Sequence, residues 1–126
     1  THVIAECIAK GNPITIHGEG KEVREWLYVE DNCKAIDLVL HNGKSGEVYN
    51  IGSHNEMKNV DLAQMAINKF GGSIQFVPNR PGNDIRYALD TTKIENLGWK
   101  PEIIGDKFKE TMLNTIEYYI NKYKRL

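Results

Sequence analysis

The chain has 126 residues, which is enough for a single domain with a modest hydrophobic core. With 40% hydrophobic and 26% charged residues and a net charge of −1, it is not a disordered chain, and it has no general attraction to nucleic acid or to a membrane surface. No apolar run approaches the length of a membrane span and no signal peptide is recognisable, so we expect a cytoplasmic protein.

Residues that could bind a metal or form disulfides are few and scattered. Cys7 and Cys33 are the only cysteines, which excludes a disulfide framework and favours small buried side chains in a reducing compartment. None of the four histidines lies at ligand spacing from another. We therefore expect no metal site.

Strand and helix signals alternate along the first part of the chain. Residues 1–10 have the periodicity of an amphipathic helix that ends at Gly11. Because the chain starts inside this pattern and without Met, we expect it to be a piece of a longer protein. Apolar runs at 14–18 and 26–29 predict short strands, and the segment "HGEGKEVRE" between them predicts a polar, hairpin-like turn.

The next predicted element is a helix from Asp31 to about Leu40, capped by Glu30 or Asp31 and closed by Asn42 and Gly43. Its apolar residues cover a wide arc: Cys33, Ala35, Ile36, Leu38, Val39 and Leu40. Such a helix should be buried on two sides, which is more than a chain of this size provides. We therefore expect the chain by itself to expose an apolar patch and to self-associate.

The second half continues the alternation. The run "EVYNIG" at 47–52 predicts a strand buried in a parallel sheet, and a helix is predicted from about 60 to 70, ended by the Gly71-Gly72 pair. A strand at 74–77, a short helix after Asp90 and a long amphipathic helix from Asp106 complete the pattern. Strands that alternate with helices define an α/β fold.

The segment "RPGNDIRY" at 80–87 places two arginines around a Pro-Gly turn. In one interpretation this is a solvated loop whose arginines pair with Asp84 and Asp90. In the other it is an anion clamp, because a guanidinium group matches two phosphate oxygens at once. Spacing alone leaves both interpretations open.

Two apparent motifs are weak. Gly18 and Gly20 follow a strand, as in a dinucleotide-binding glycine fingerprint, but Val23 occupies the third glycine position and no helix clearly follows. Tyr118 and Lys122 have the Tyr-x-x-x-Lys spacing of short-chain dehydrogenases, but no preceding catalytic Ser or Thr accompanies them. We assign neither pair a role, and we predict no catalytic residue in this chain.

Four segments in this order closely resemble the C-terminal part of the dTDP-glucose 4,6-dehydratases, which are extended short-chain dehydrogenase/reductases that act on nucleotide sugars. The segments are "VREWLYVED", "YNIG" with a following N-E-x-x-N, "RPGNDIRY" and "LGWKP". The resemblance covers residues 1 to about 123. It implies that 1–126 is the nucleotide-sugar-binding part, with short parallel strands and flanking helices, and that the NAD-binding domain and most of the Rossmann half are absent.

The same resemblance implies a substrate-binding set. It places Arg24, Asn59 and Arg80 around the pyrophosphate of the dTDP-sugar, and it adds Asp84 and Tyr87 of the same loop. Competing structural roles are a surface ion pair for Arg24, a helix cap for Asn59 and an ion pair with Asp84 for Arg80.

Three further positions in this set mark the nucleotide end of the site. Pro13 and His17 occupy the segment expected to lie against the base, where the family usually has a tyrosine in place of His17. Asn83 replaces the usual histidine of the loop and still offers an amide donor. These departures leave the preferred nucleotide open.

The reaction implied by the resemblance is an internal redox dehydration of dTDP-glucose that uses NAD and feeds deoxysugar synthesis, for example of rhamnose. The implied full-length enzyme is a homodimeric lyase, while this chain by itself is expected to be inactive and to bind no cofactor. A related epimerase or decarboxylase and a free-standing nucleotide-sugar-binding module are the alternatives.

Overall fold

Five helices and four short strands follow one another along the chain, and the computed structural model describes all residues 1–126. The elements are α1 (His2–Lys10), β1 (Ile14–His17), β2 (Val23–Glu25), α2 (Val29–Asn42), β3 (Glu56–Lys58), α3 (Asn59–Phe70), β4 (Ile74–Val77), α4 (Thr92–Asn96) and α5 (Gly105–Lys124). No helix is both long and apolar enough to span a membrane. No group of three potential metal-ligating side chains converges on a point.

The strands form two separate two-stranded sheets. Strand β1 pairs with β4 in parallel, with Ile14 opposite Ile74, and β2 pairs with β3 antiparallel, with Arg24 opposite Met57. The end of loop 79–87 runs beside β2, where the Val23 N–H donates to the Ile85 carbonyl over 2.8 Å. The loop is therefore attached to the edge of the second sheet.

The main core forms where α1 and α3 pack against the long helix α5. Its buried members are Ala5, Leu62, Ala66, Phe108, Met112, Ile116 and Ile120. A smaller cluster of Ile14, Ile16 and Ala63 packs α3 under β1. These contacts hold β1 and the start of α3 side by side, and both border the site described below.

The predicted ends of the long helices agree with the structure. Helix α1 ends at Gly11, which has a φ of 70° and a left-handed conformation that glycine adopts without steric cost. Helix α3 ends at Gly71, and α5 begins one residue before the predicted Asp106. The cap position of α4 is Thr91 and not Asp90, although the Asp90 carboxylate accepts the Thr92 N–H over 2.9 Å.

The predictions for 26–31 are wrong in detail. The strand lies at Val23–Glu25 instead of 26–29, and α2 already begins at Val29. Asp31 is not the cap, because it is buried within the first turn and its carboxylate accepts the Ile103 N–H over 2.9 Å. A long-range partner for Asp31 overrides its local capping preference.

The predicted hairpin-like turn and the predicted strand at 47–52 are also wrong. The segment after β1 is a turn, but β1 and β2 lie in different sheets, so the two strands do not form a hairpin. Residues 47–52 form no strand, and Val48 is 76% exposed. An extended segment becomes a strand only where a neighbouring strand supplies hydrogen bonds, and no strand lies beside this one.

Helix α2 is buried on one side only. Ala35 packs against Ile94 and Trp99, and all three are nearly inaccessible to solvent. On the other side, Ile36 and Leu40 are 53% and 77% exposed. The exposed apolar surface predicted for this helix is therefore present in the structure.

Candidate functional site

The loop at residues 79–87 follows β4, turns sharply, and ends beside β2. Gly82 has a φ of 71°, which favours glycine, and the Asn83 N–H donates to the Arg80 carbonyl over 3.3 Å. This turn places the side chains of Arg80 and Asn83 on the part of the loop that faces β1 and α3.

Arg24 joins strand β2 to this loop. Its guanidinium group donates to the Asp84 carbonyl over 3.0 Å and to Asn83 Oδ1 over 3.2 Å. The same group lies 4.6 Å from the centre of the Tyr87 ring, which adds a cation–π contact. Arg24 therefore orders the loop.

Tyr87 and Asp84 close the loop on itself. The Tyr87 hydroxyl donates to the Asp84 carboxylate, and this hydrogen bond raises the pKa of Tyr87 because it stabilises the protonated phenol. Both side chains contact Arg24 or each other and do not line the cavity described below. Their positions fit a role in shaping the loop.

The two arginines of the loop differ in their partners. Arg86 donates to both carboxylate oxygens of Glu56, over 2.6 and 2.9 Å, and this pairing lowers the pKa of Glu56. Arg80 is exposed and its guanidinium group makes no hydrogen bond or ion pair. Neither arginine pairs with Asp84 or Asp90. The ion pairs that the solvated-loop interpretation predicts are therefore absent from the structure.

A cavity of about 160 Å³ lies between β1, the start of α3 and the loop. Four of the predicted residues line it: His17, Asn59, Arg80 and Asn83. Pro13 is exposed before β1 and does not line the cavity. Arg24 lies behind Asn83, to which it is hydrogen-bonded.

Asn59 and His17 both line the cavity, and each has side-chain polar atoms without a partner in the chain. Asn59 is the first residue of α3 and Lys58 is the cap position, so the capping role considered for Asn59 is wrong. The side-chain amide of Asn59 makes no hydrogen bond within the chain. The backbone N–H of Asn59 donates to the Glu22 carbonyl over 3.1 Å. The Nδ1 atom of His17 is buried without a partner.

Three larger cavities, of about 420, 540 and 780 Å³, contain none of the predicted residues. The first of these is lined mostly by apolar side chains such as Phe108 and Met112. Cavity volume alone therefore does not identify the binding site. Beside the carboxylate of Glu22, the small cavity combines an unpaired guanidinium group, two amides and the positive end of a helix, and these three kinds of group favour an anion.

The two weak motifs have structural explanations. A Cβ atom on Gly20 would lie 2.6 Å from Ile16 and 2.7 Å from Val60, so a glycine is needed here for close packing. The next element is strand β2, whereas a dinucleotide-binding fingerprint leads into a helix. Tyr118 is 64% exposed and packs edge to face on Tyr119, and Lys122 Nζ lies over the Tyr119 ring.

Sequence reasoning missed Glu22 and Asn79. Asn79 Nδ2 donates to Glu22 Oε1 over 3.0 Å, and Glu22 lines the cavity although it is only 7% exposed. A glutamate in a polar turn and an asparagine before a Pro-Gly turn have the usual pattern of solvated residues. Their contact spans 57 positions and leaves no local signal.

The fold is that of a part of an extended short-chain dehydrogenase/reductase. The family model described as GDP-mannose 4,6 dehydratase matches residues 1–112, and the chain belongs to that family. The predicted α/β class and the predicted resemblance to dTDP-glucose 4,6-dehydratases are confirmed.

Among its relatives, the chain is 45% identical over 115 residues to the low-salt glycan biosynthesis protein Agl12 of Haloferax volcanii, covering 89% of this chain and 36% of that protein. It is 41% identical over 116 residues to the dTDP-glucose 4,6-dehydratase of Streptomyces niveus, covering 89% and 34%. The crystal structure of dTDP-glucose 4,6-dehydratase from Bacillus anthracis in complex with NAD superposes with a TM-score of 0.82 at 36% identity, covering 94% and 38%. The chain thus spans little more than a third of these relatives' lengths.

Proposed function

We propose that residues 1–126 are the nucleotide-sugar-binding part of an NAD-dependent dTDP-glucose 4,6-dehydratase, a lyase that converts dTDP-glucose to dTDP-4-keto-6-deoxyglucose. The relatives that have this name support the reaction. In this proposal the chain binds and orients the substrate, and the longer protein supplies the catalytic residues. The product would serve deoxysugar synthesis in the cytoplasm.

The observation that carries the proposal is the unpaired Arg80 guanidinium group on an anchored loop, facing the same cavity as Asn59 and Asn83. Arg80 presents a guanidinium fork to the pyrophosphate, and the amides of Asn59 and Asn83 donate to further oxygens. The positive end of α3 lies at Asn59 and favours the same negative charge.

Arg24 has two tasks in this proposal. Three of its N–H groups donate to the Val23 carbonyl, the Asp84 carbonyl and Asn83 Oδ1. Since a guanidinium group has five N–H donors, about two remain for a phosphate oxygen. Arg24 therefore orders the loop and adds positive charge behind Asn83.

The nucleoside end of the substrate is assigned to His17 and Pro13. His17 ends β1 at the cavity and offers a flat ring for the base, while its Nδ1 atom needs a partner that the chain does not supply. Pro13 lies just before the same strand and is exposed.

NAD does not fit the residues of this chain. The glycines after β1 are followed by strand β2, and Gly20 packs closely against Ile16 and Val60. The chain therefore has no glycine-rich loop at the start of a helix that could bind the pyrophosphate of NAD. When bound, NAD accepts and returns a hydride. The proposal therefore places NAD in the remainder of the longer protein, which we expect to be homodimeric, and this chain should not turn over dTDP-glucose by itself.

The alternatives are a nucleotide-sugar epimerase or decarboxylase and a free-standing binding module. The loop at 80–87 is the feature that favours the dehydratase, together with the 41% identity to a dTDP-glucose 4,6-dehydratase. Turnover measurements on the longer protein, with dTDP-glucose, UDP-glucose and UDP-glucuronate as substrates, separate these candidates. Conversion of UDP-glucose alone would indicate an epimerase, conversion of UDP-glucuronate alone a decarboxylase, and no turnover of any of the three would favour the module.

Calorimetric titrations of the chain with dTDP, dTMP and thymidine test the binding role. We expect dTDP to bind most tightly, with an affinity that falls as salt rises, because Arg80 is exposed and its attraction is screened. Equal affinity for thymidine and dTDP would contradict a diphosphate site.

A further inference from the structure

One hydrogen-bonded path joins the four residues proposed to surround the pyrophosphate, and it passes through Glu22 and Asn79. At one end, the Asn59 N–H donates to the Glu22 carbonyl over 3.1 Å. The side chain of Glu22 then continues the path, since Glu22 Oε1 accepts Asn79 Nδ2 over 3.0 Å. Glu22 thus contacts both the start of α3 and the loop.

From Asn79 the path divides toward the other three residues. Asn79 Oδ1 accepts both the Arg80 N–H over 2.9 Å and Asn83 Nδ2 over 3.1 Å. Asn83 Oδ1 in turn accepts Arg24 over 3.2 Å. A rotation of the Asn79 amide would therefore break the bonds to Glu22, Arg80 and Asn83 together.

The Glu22 end of the path is held in place by burial and by backbone hydrogen bonds. Glu22 is 7% exposed, and Asn79 is its only side-chain hydrogen-bond partner, so losing that partner leaves a buried carboxylate unsatisfied. The turn that carries Glu22 is also held at the start of α3, where the Val60 N–H donates to the Gly20 carbonyl over 3.0 Å.

We propose that Glu22 and Asn79 are positioning residues for the diphosphate site. Neither donates to the ligand. Glu22 holds the Asn79 amide in one orientation, and Asn79 sets the backbone of Arg80 and the side chain of Asn83 against Asn59. This role rests on the proposed function, in which those residues bind the pyrophosphate of a nucleotide sugar.

Single substitutions at Asn79 test the path with dTDP as the titrated ligand. Asn79→Ala removes both acceptor contacts and should weaken binding about tenfold, the worth of one to two ordinary hydrogen bonds. Asn79→Asp keeps an acceptor but removes the donor and places a second carboxylate beside Glu22, so it should weaken binding at least as much.

The double variant Glu22→Gln/Asn79→Asp is the sharper test. The Gln amide now donates and the Asp carboxylate accepts, so the hydrogen bond is reversed while the second Asp oxygen still accepts Arg80 and Asn83. The net charge equals that of the wild type. We expect dTDP affinity to return to within about threefold of the wild type, since one hydrogen bond replaces another of similar strength.

Gln64→Ala is the matched control, because Gln64 donates to Asn68 in an amide–amide hydrogen bond on the exposed side of α3. Its dTDP affinity should not change. A double variant that binds no better than Asn79→Asp would overturn the positioning role. Arg80→Ala is measured alongside: if it weakens binding while Asn79→Ala does not, the inference fails and the proposed function stands.

Hydrogen exchange at the Arg80 amide gives a readout that does not need the ligand. Asn79→Ala should speed this exchange, and Glu22→Gln/Asn79→Asp should restore the protection, whereas Gln64→Ala should leave it unchanged. If Arg80→Ala binds dTDP like the wild type, the proposed function fails while the exchange data still report on the path. Unchanged exchange in Asn79→Ala would overturn the path itself.

Discussion

Loop 79–87 and the outer face of helix α2 are both exposed, but they differ in how their groups are satisfied. Apart from the exposed Ile85, the loop is mostly polar, and its polar side chains are hydrogen-bonded to β2, to β3 and to one another, with Arg80 left unpaired. The α2 face is apolar, with Ile36 and Leu40 open to solvent. The loop is ordered by contacts within the chain, whereas the α2 face has no covering partner in it.

Shortening a side chain should cost much more stability on the buried side of α2 than on its exposed side. Ile94 is fully buried against Ala35, so Ile94→Ala should lower the free energy of unfolding by about 2–5 kcal/mol through lost burial and a residual cavity. Leu40→Ala should change it by less than about 0.5 kcal/mol, because Leu40 is 77% exposed. Urea unfolding followed by circular dichroism compares them, and equal losses would mean that the outer face is covered in solution.

The exposed face itself should bind a hydrophobic dye and promote self-association of the chain. Replacing Ile36 and Leu40 by Glu should reduce both dye fluorescence and the apparent mass in sedimentation, with the helix content unchanged. Val3→Glu is the control, since Val3 is also an exposed apolar residue, 58% accessible, but lies on α1. A monomeric wild-type chain that binds no dye would remove this contrast with the loop.

The loop makes a smaller but more specific prediction about ionisation. The Asp84 hydrogen bond raises the pKa of Tyr87 above the ordinary value of about 10, so the protonated phenol stabilises the folded loop. That contribution is fully present below the unfolded pKa and is lost as the pH rises through the folded pKa. An NMR titration of ring-labelled tyrosine should show Tyr87 ionising at lower pH in Asp84→Ala, and an unchanged midpoint would count against the hydrogen bond.

These contrasts also explain what could be predicted from the sequence. Helices with a clear period and a glycine stop, such as α1 at Gly11 and α3 at Gly71, depend on local interactions and were placed correctly. The run at 47–52 was predicted as a strand because it is apolar, but strand formation needs a neighbour that lies elsewhere in the sequence. The hydrophobic pattern of a segment does not show whether another strand will lie beside it.

The candidate site divides in the same way. The motif "RPGNDIRY" and its resemblance identified Arg80 and Asn83, and the structure brings both to one cavity with His17 and Asn59. The contacts that order the loop, such as Asn79 with Glu22, join residues 57 positions apart and could be found only in the folded chain.

The affinity of Arg80→Ala for dTDP, measured by calorimetry with folding checked by circular dichroism, tests the pyrophosphate role most directly. We predict a loss of about 1.5–3 kcal/mol relative to the wild type, because a charge-assisted and bidentate contact disappears. Arg86→Ala, whose guanidinium group is already paired with Glu56, should lose clearly less. Equal affinities for Arg80→Ala and the wild type would contradict the account.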